Sequence, residues 1–227
     1  MKVGGFQKVS LVDYPGYVCS IIFTIGCNFR CAYCYNHSLV LPEEYPEPIP
    51  LEEVWQYLRR RKGRIDAVEF TGGEPTLQKD LIEQISRVKE MGFLVKLDTN
   101  GSNPEVVDSC IKKGIVDYIA MDVKAPLEKY MEVVGVCVDT GKIKASIDMI
   151  KGFKDYELRT TLYPALTDED FLKIFELVKG AKNYFLQVCS LENTLKDCSH
   201  LKQFSEKRMQ SLKKLTYNFV NYCEIRR

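Results

Sequence analysis

Two hydrophobic periods take turns along this chain. Short apolar runs bounded by turn residues read as buried strands: Val18–Phe23, Ala67–Phe70, Leu94–Leu97, Tyr118–Met121, Glu157–Leu162 and Phe185–Val188. Between them, apolar residues recur at threes and fours, as Leu81, Ile82, Ile85 and Val88 do. That spacing predicts helices over Leu51–Arg61, Leu77–Met91, Pro104–Lys113, Ile143–Phe153 and Asp168–Lys179, with a last, amphipathic and basic helix over about 205–222. Strict alternation predicts an α/β fold with a parallel sheet and outer crossover helices. Six units are too few to close an eight-stranded barrel, so the expectation is an open, partial (β/α)6 TIM-like barrel. No long linker or repeat interrupts the pattern, which predicts one domain over residues 1–227 with its core at about 17–190.

Placing the unusual segments on this pattern puts them on one rim. Cys27–Cys34 follows the first predicted strand, Thr71–Pro75 the second and Asp98–Gly101 the third; Asp122 and Lys124 end the fourth, and Arg159 lies in the fifth. In parallel α/β folds the active face forms where the strands run out.

Composition narrows the setting. The 227 residues are 45% apolar and 28% charged, an ordinary globular balance. Thirty-two basic against 31 acidic residues give no global bias toward nucleic acid or membrane. No apolar run approaches the roughly 20 residues of a membrane span, and Met1–Gln7 lacks a signal-peptide core, so a cytoplasmic protein is expected. Nine cysteines, an odd number, suit a reducing compartment better than a disulfide framework.

The strongest chemical signal is Cys27-x₃-Cys31-x₂-Cys34. An electron-transfer iron–sulfur cluster takes four thiolates; three close ones leave an iron open, which points to chemistry on a bound small molecule. Structural zinc is the alternative, but it needs a fourth ligand, and only His37 and His200 exist while Cys189 and Cys198 stand nine residues apart. Cys19, Cys110, Cys137, Cys189, Cys198 and Cys223 are expected to pack as small apolar residues. In Thr71-Gly72-Gly73-Glu74-Pro75, two glycines permit close backbone approach to a ligand and Glu74 can bind an ammonium or hydroxyl group. Asp98-Thr99-Asn100-Gly101 offers short polar side chains, or a simple strand-to-helix turn. Asp122 and Lys124, two apart on a strand, share a face and also read as a rim ion pair. Arg159 sits among strand formers and needs a partner, either a ligand carboxylate or an internal anion. Arg59-Arg60-Arg61-Lys62 ends a predicted helix, where cations suit the dipole, with a docking patch as the other reading.

Together the cysteine motif, Gly72-Gly73-Glu74-Pro75 and Asp98-Thr99-Asn100-Gly101 resemble the radical S-adenosylmethionine superfamily. With Ser10–Gly16, Met121–Lys124 and Leu158–Thr161, the chain is similar to activating enzymes of glycyl radical enzymes, and among these to the anaerobic ribonucleoside-triphosphate reductase activating proteins; the likeness runs from about residue 4 to about 190. The resemblance implies that Cys27, Cys31 and Cys34 ligate a [4Fe–4S] cluster whose open iron chelates S-adenosylmethionine, with no catalytic residue beyond cluster and cofactor. It implies contacts from Tyr33 to adenine, from Gly72, Gly73 and Glu74 to the methionine amino group, from Asp98 and Asn100 to methionine and ribose, and from Lys124 and Arg159 to carboxylate or ribose. A monovalent cation at Asp98, Thr99 and Asp122 is implied as well. The implied reaction is reductive cleavage to a 5′-deoxyadenosyl radical, which abstracts a glycine Cα hydrogen from a partner glycyl radical enzyme, with a low-potential donor such as flavodoxin or ferredoxin. Neither nucleic acid nor membrane is an expected partner.

This sequence departs from that pattern in having Tyr35, not His, after the third cysteine, and in having only 20 residues between Cys34 and Trp55, which leaves no room for inserted clusters. Two rivals remain at this point: a radical enzyme acting on a small molecule, as 7-carboxy-7-deazaguanine synthase does, and a non-catalytic zinc-binding interaction module.

Overall fold

The computed structural model describes residues 1–227. Its strands follow one another in sheet order: β1 (Val3–Ser10), β2 (Cys19–Thr24), β3 (Ala67–Gly72), β4 (Leu94–Thr99), β5 (Tyr118–Asp122), β6 (Tyr156–Leu162), β7 (Tyr184–Val188) and β8 (Cys223–Arg226). Between them lie α1 (Leu51–Arg61), α2 (Leu81–Glu90), α3 (Pro104–Lys112), α4 (Tyr130–Val134), α5 (Thr140–Lys151), α6 (Asp168–Leu177) and α7 (Glu206–Thr216). The α/β class and the open sheet agree with the sequence pattern.

Contacts divide the chain into two compact units. The first comprises Met1–Asn28, Ser38–Thr99 and Glu105–Ile119; the second comprises Phe29–His37, Asn100–Pro104 and Ala120–Arg227. In the first unit β2, β3 and β4 pair in parallel, Cys19 facing Ala67 and Ala67 facing Leu94. Cys19, Ile21, Ala67, Tyr14 and Tyr118 form a buried cluster there. Helix α2 buries Leu81, Ile85 and Val88, each worth about 1.5–3 kcal/mol of apolar transfer. Helix α1 carries Glu52 and Glu53 in its first turn and Arg59–Arg61 in its last, both favourable to the helix dipole.

In the second unit β6, β7 and β8 run parallel, with Leu158 beside Tyr184 and Tyr184 beside Cys223. Helix α6 opens on a full capping box: the Thr167 hydroxyl accepts from the Asp170 N–H, and Asp170 accepts from the Thr167 N–H.

Three elements differ from expectation. Strand β1 is an unforeseen edge strand running antiparallel to β2, with register shifts near both ends; Gly4, Gly5, Gln7 and Lys8 dilute its hydrophobic alternation. The last helix stops at Thr216 rather than near 222, because residues 223–226 pair beside β7 as β8. The short α4 ends at Gly135, which takes a left-handed φ of 71° with a Cβ position only 2.7 Å from the Arg30 carbonyl oxygen.

Candidate functional site

The lead-in to the cysteine motif is seated on the turn after β3. Gly73 N–H donates to Thr24 C=O (2.9 Å), Glu74 N–H to Gly26 C=O (2.8 Å), and the Gln78 amide to Ile25 C=O (2.8 Å). Gly26 N–H donates in turn to Leu39 C=O at 2.7 Å. The two glycines make this seat possible. A Cβ on Gly73 would stand 2.1 Å from the Gly26 oxygen, and one on Gly72, at φ 113°, would stand 2.3 Å from the Thr24 nitrogen. The close approach anticipated from the glycines is therefore an approach to the chain just before Cys27.

Glu74 is buried within the short helical turn that follows. One of its oxygens accepts from the Thr76 N–H (3.1 Å), the Thr76 hydroxyl and the Thr99 hydroxyl (2.8 Å). Asp98 lies on β4 two residues from Lys96, and the Lys96 ammonium bridges Asp98 (3.0 Å) and Glu69 on the facing strand (3.1 Å). Lys96 and Glu69 were missed in the sequence, where each looked like an isolated charge in an apolar strand. Lys96 is 2% exposed and Glu69 3%, so both belong to the interior. The result is a buried ammonium shared by Glu69 and Asp98, with the buried Glu74 carboxylate held separately by Thr76 and Thr99.

In the second unit the motif is held by backbone. Arg30 N–H donates to Val134 C=O (2.7 Å), and Cys34 N–H closes a turn on Cys31 C=O (3.0 Å). A later loop straps the motif down: Leu195 N–H donates to Cys34 C=O (2.9 Å) and Lys196 N–H to Ala32 C=O (3.0 Å). Nothing in the sequence signalled this strap. Tyr33 is buried and packs on Tyr163, ring centroids 4.7 Å apart; its hydroxyl has no hydrogen-bond partner. All nine cysteines are free thiols. Burial pushes the Cys31 thiol up to about 11, partly offset by the Lys124 ammonium, and also raises Cys34.

Lys124 and Arg159 converge on Asp122. Lys124 Nζ lies 2.8 Å from one carboxylate oxygen and Arg159 Nε 2.7 Å from the other. Burial would raise the Asp122 pKa, but the two cations outweigh it and hold the carboxyl well below the usual range. Arg159 also reaches Glu157 (3.6 Å), which Arg226 grips with two bonds of 2.6 and 2.7 Å. Of the three side chains suggested for a monovalent cation, Asp122 thus holds two cations of the chain, Asp98 holds Lys96, and Thr99 donates to Glu74. Asn100 caps its own turn, accepting from the Ser102 N–H at 2.9 Å. Tyr35 is 67% exposed. No group of three or more His, Cys, Asp or Glu side chains is disposed to hold a single metal ion.

Compared with known proteins, residues 21–178 match the family described as the Radical SAM superfamily. The chain belongs to that superfamily. A protein of Methanocaldococcus jannaschii named as a glycyl-radical enzyme activating enzyme is 35% identical over 99% of this chain and 95% of its own length. A protein of Pyrococcus horikoshii named as a GTP 3′,8-cyclase is 28% identical over 76% of this chain, which spans 55% of that protein. In fold the chain resembles Streptococcus suis SuiB bound to S-adenosylmethionine, with a TM-score of 0.69 at 15% identity, covering 91% of this chain and 50% of that one.

Radical SAM proteins work with a [4Fe–4S] cluster and S-adenosylmethionine. The residues present fit both groups. Three thiols within eight residues supply soft donors, and the Lys124 charge felt at Cys31 favours its thiolate. The buried Glu74 carboxylate suits an ammonium, and the unpartnered Tyr33 hydroxyl leaves a polar atom for a ligand.

Proposed function

We propose that this chain is an activase that installs a glycyl radical on a partner enzyme, an anaerobic ribonucleoside-triphosphate reductase. The observation that carries the reading is the 35% identity over nearly the full length of both chains to a protein named as a glycyl-radical enzyme activating enzyme. The cyclase likeness is lower and spans about half of its counterpart. A cytoplasmic setting accords with nine free thiols and with the absence of any helix long and apolar enough to cross a membrane.

In this reading Cys27, Cys31 and Cys34 would hold the cluster, and its open iron would take S-adenosylmethionine. When bound, the pair supplies a one-electron cleavage that yields a radical able to abstract hydrogen. The chain itself binds and orients. Glu74, fixed by Thr76 and Thr99, presents a carboxylate to the methionine ammonium. Asp98 and Asn100 serve the methionine and ribose side. Tyr33 borders the adenine. Lys124 and Arg159 keep a positive rim toward the methionine carboxylate, with Asp122 restraining both.

The test is anaerobic reconstitution with iron and sulfide, then dithionite and S-adenosylmethionine with purified anaerobic ribonucleotide reductase. Expected are 5′-deoxyadenosine and a glycyl radical doublet in the electron paramagnetic resonance spectrum of the reductase. Failure to form 5′-deoxyadenosine would overturn the cofactor chemistry; cleavage with no reductase radical would overturn the partner alone.

A further inference from the structure

We propose that strand β1 and helix α1 form a docking groove for an extended segment of a partner protein, acidic along its middle and apolar at one end. This goes beyond the activase reading and is independent of it.

Among the residues lining the groove are Phe6 and Lys8 of β1, Ile49, and Glu53, Tyr57 and Arg60 of α1. Its floor is aromatic, with Phe6 edge-on to Tyr57 at 5.3 Å. Its walls are cationic: Arg61 lies over the Tyr57 ring at 5.3 Å and Lys8 at 5.9 Å.

Beside the groove runs an open sheet edge. Strand β1 is first in the sheet order and has a strand on one side only. At one end of that edge Val3 C=O accepts from Ile49 N–H (2.8 Å); at the other Val9 C=O accepts from the Gln7 side chain (3.2 Å). A strand laid alongside would find backbone groups there, the usual mode of strand addition. Past Lys8 the edge turns apolar. Val9, still in β1, and Leu11 and Val12, in the loop that follows, are 49%, 75% and 83% exposed; bonds from Ser10 to Asp13 and from Val12 N–H to Ser10 fix that loop.

Charge selects the occupant. Lys8 and Arg60 line the groove and Arg61 lies over its Tyr57, all exposed, against Glu53; Arg59 is paired with Glu52. A second copy docking through a two-fold axis would set these cations against their own images, which costs energy. A partner segment with glutamate or aspartate beside the groove and aliphatic side chains against Leu11 and Val12 meets both features. The apolar tip lies where Ser10 pairs with Cys19, at the opposite end of β2 from Cys27. A segment anchored there leaves the lead-in to the cysteine motif uncovered.

The test uses the full chain under anaerobic conditions with a fluorescein-labelled peptide carrying glutamates along its middle and leucines at one end, read by anisotropy and by amide hydrogen exchange. Expected are saturable binding, slowed exchange within Gly5–Val9, and affinity at least about tenfold weaker in the Lys8→Glu/Arg60→Glu variant. Leu11→Ser/Val12→Ser, at exposed positions that folding does not need, should weaken binding without changing the salt dependence. An oligonucleotide of equal charge that binds as tightly, exchange unchanged in β1, or charge reversal without effect would each overturn the proposal.

Discussion

Glycine 73 shows how little room a backbone contact can leave. With a Cβ position 2.1 Å from the Gly26 oxygen, Gly73→Ala must push the turn away from the chain before Cys27. Overpacking of this kind costs about 1–3 kcal/mol, so the thermal midpoint should fall, and iron retained after reconstitution should fall with it. Lys96 is the opposite case, a side chain whose removal leaves charge behind. Lys96→Ala strands Glu69 and Asp98 without their shared ammonium, and breaking a buried pair from one side costs about 3–5 kcal/mol. Urea unfolding of the cluster-free chain would measure it; a loss under 1 kcal/mol would mean the two carboxylates find other relief. Both residues also mark the limit of sequence reading at this scale. The cysteine spacing and the Gly72-Gly73-Glu74 run stand out in the sequence because they are local. Lys96 and Glu69 do not, because a charge in a strand declares itself internal only once the facing strand is known.

Among the elements, helix α6 carries a pH-sensitive start. Burial raises the Asp170 pKa, but Lys129 and the Thr167 N–H lower it further, leaving it below the ordinary value. A depressed carboxyl stabilises the fold fully above its unfolded pKa, about 4, and less as pH falls through the folded value. Asp170→Ala should therefore cost about 1–2 kcal/mol at neutral pH and nearly nothing once the wild-type carboxyl is protonated. Denaturation at several acidic pH values checks that convergence. The loop after β7 makes a different prediction. Leu195→Pro removes the N–H that donates to Cys34 C=O, and should speed iron loss to a chelator several-fold while the far-ultraviolet dichroism is unchanged. The helices with clear periodicity were read from sequence to within a few residues. Strand β8 lies just past the last expected helix and is not legible in the sequence, because four residues pairing beside β7 give no periodic signal of their own.

At the scale of the whole molecule, the open α/β sheet followed from the strict alternation of periods. The antiparallel β1 did not, since Gly4, Gly5, Gln7 and Lys8 break the alternation that would mark a strand. The cofactor reading predicts that Cys31→Ala loses cluster absorbance and S-adenosylmethionine cleavage together, with the thermal midpoint of the cluster-free chain nearly unchanged. The seating of residues 24–26 on the Gly72–Gln78 turn has one more consequence, for protein engineering. The cysteine stretch is no cassette. A donor segment spliced in at residues 24–34 would rest on a host turn shaped to a different neighbour, so a chimera between relatives has to transplant both stretches as one unit. Chimeras carrying only one should assemble iron poorly, and those carrying both should recover it.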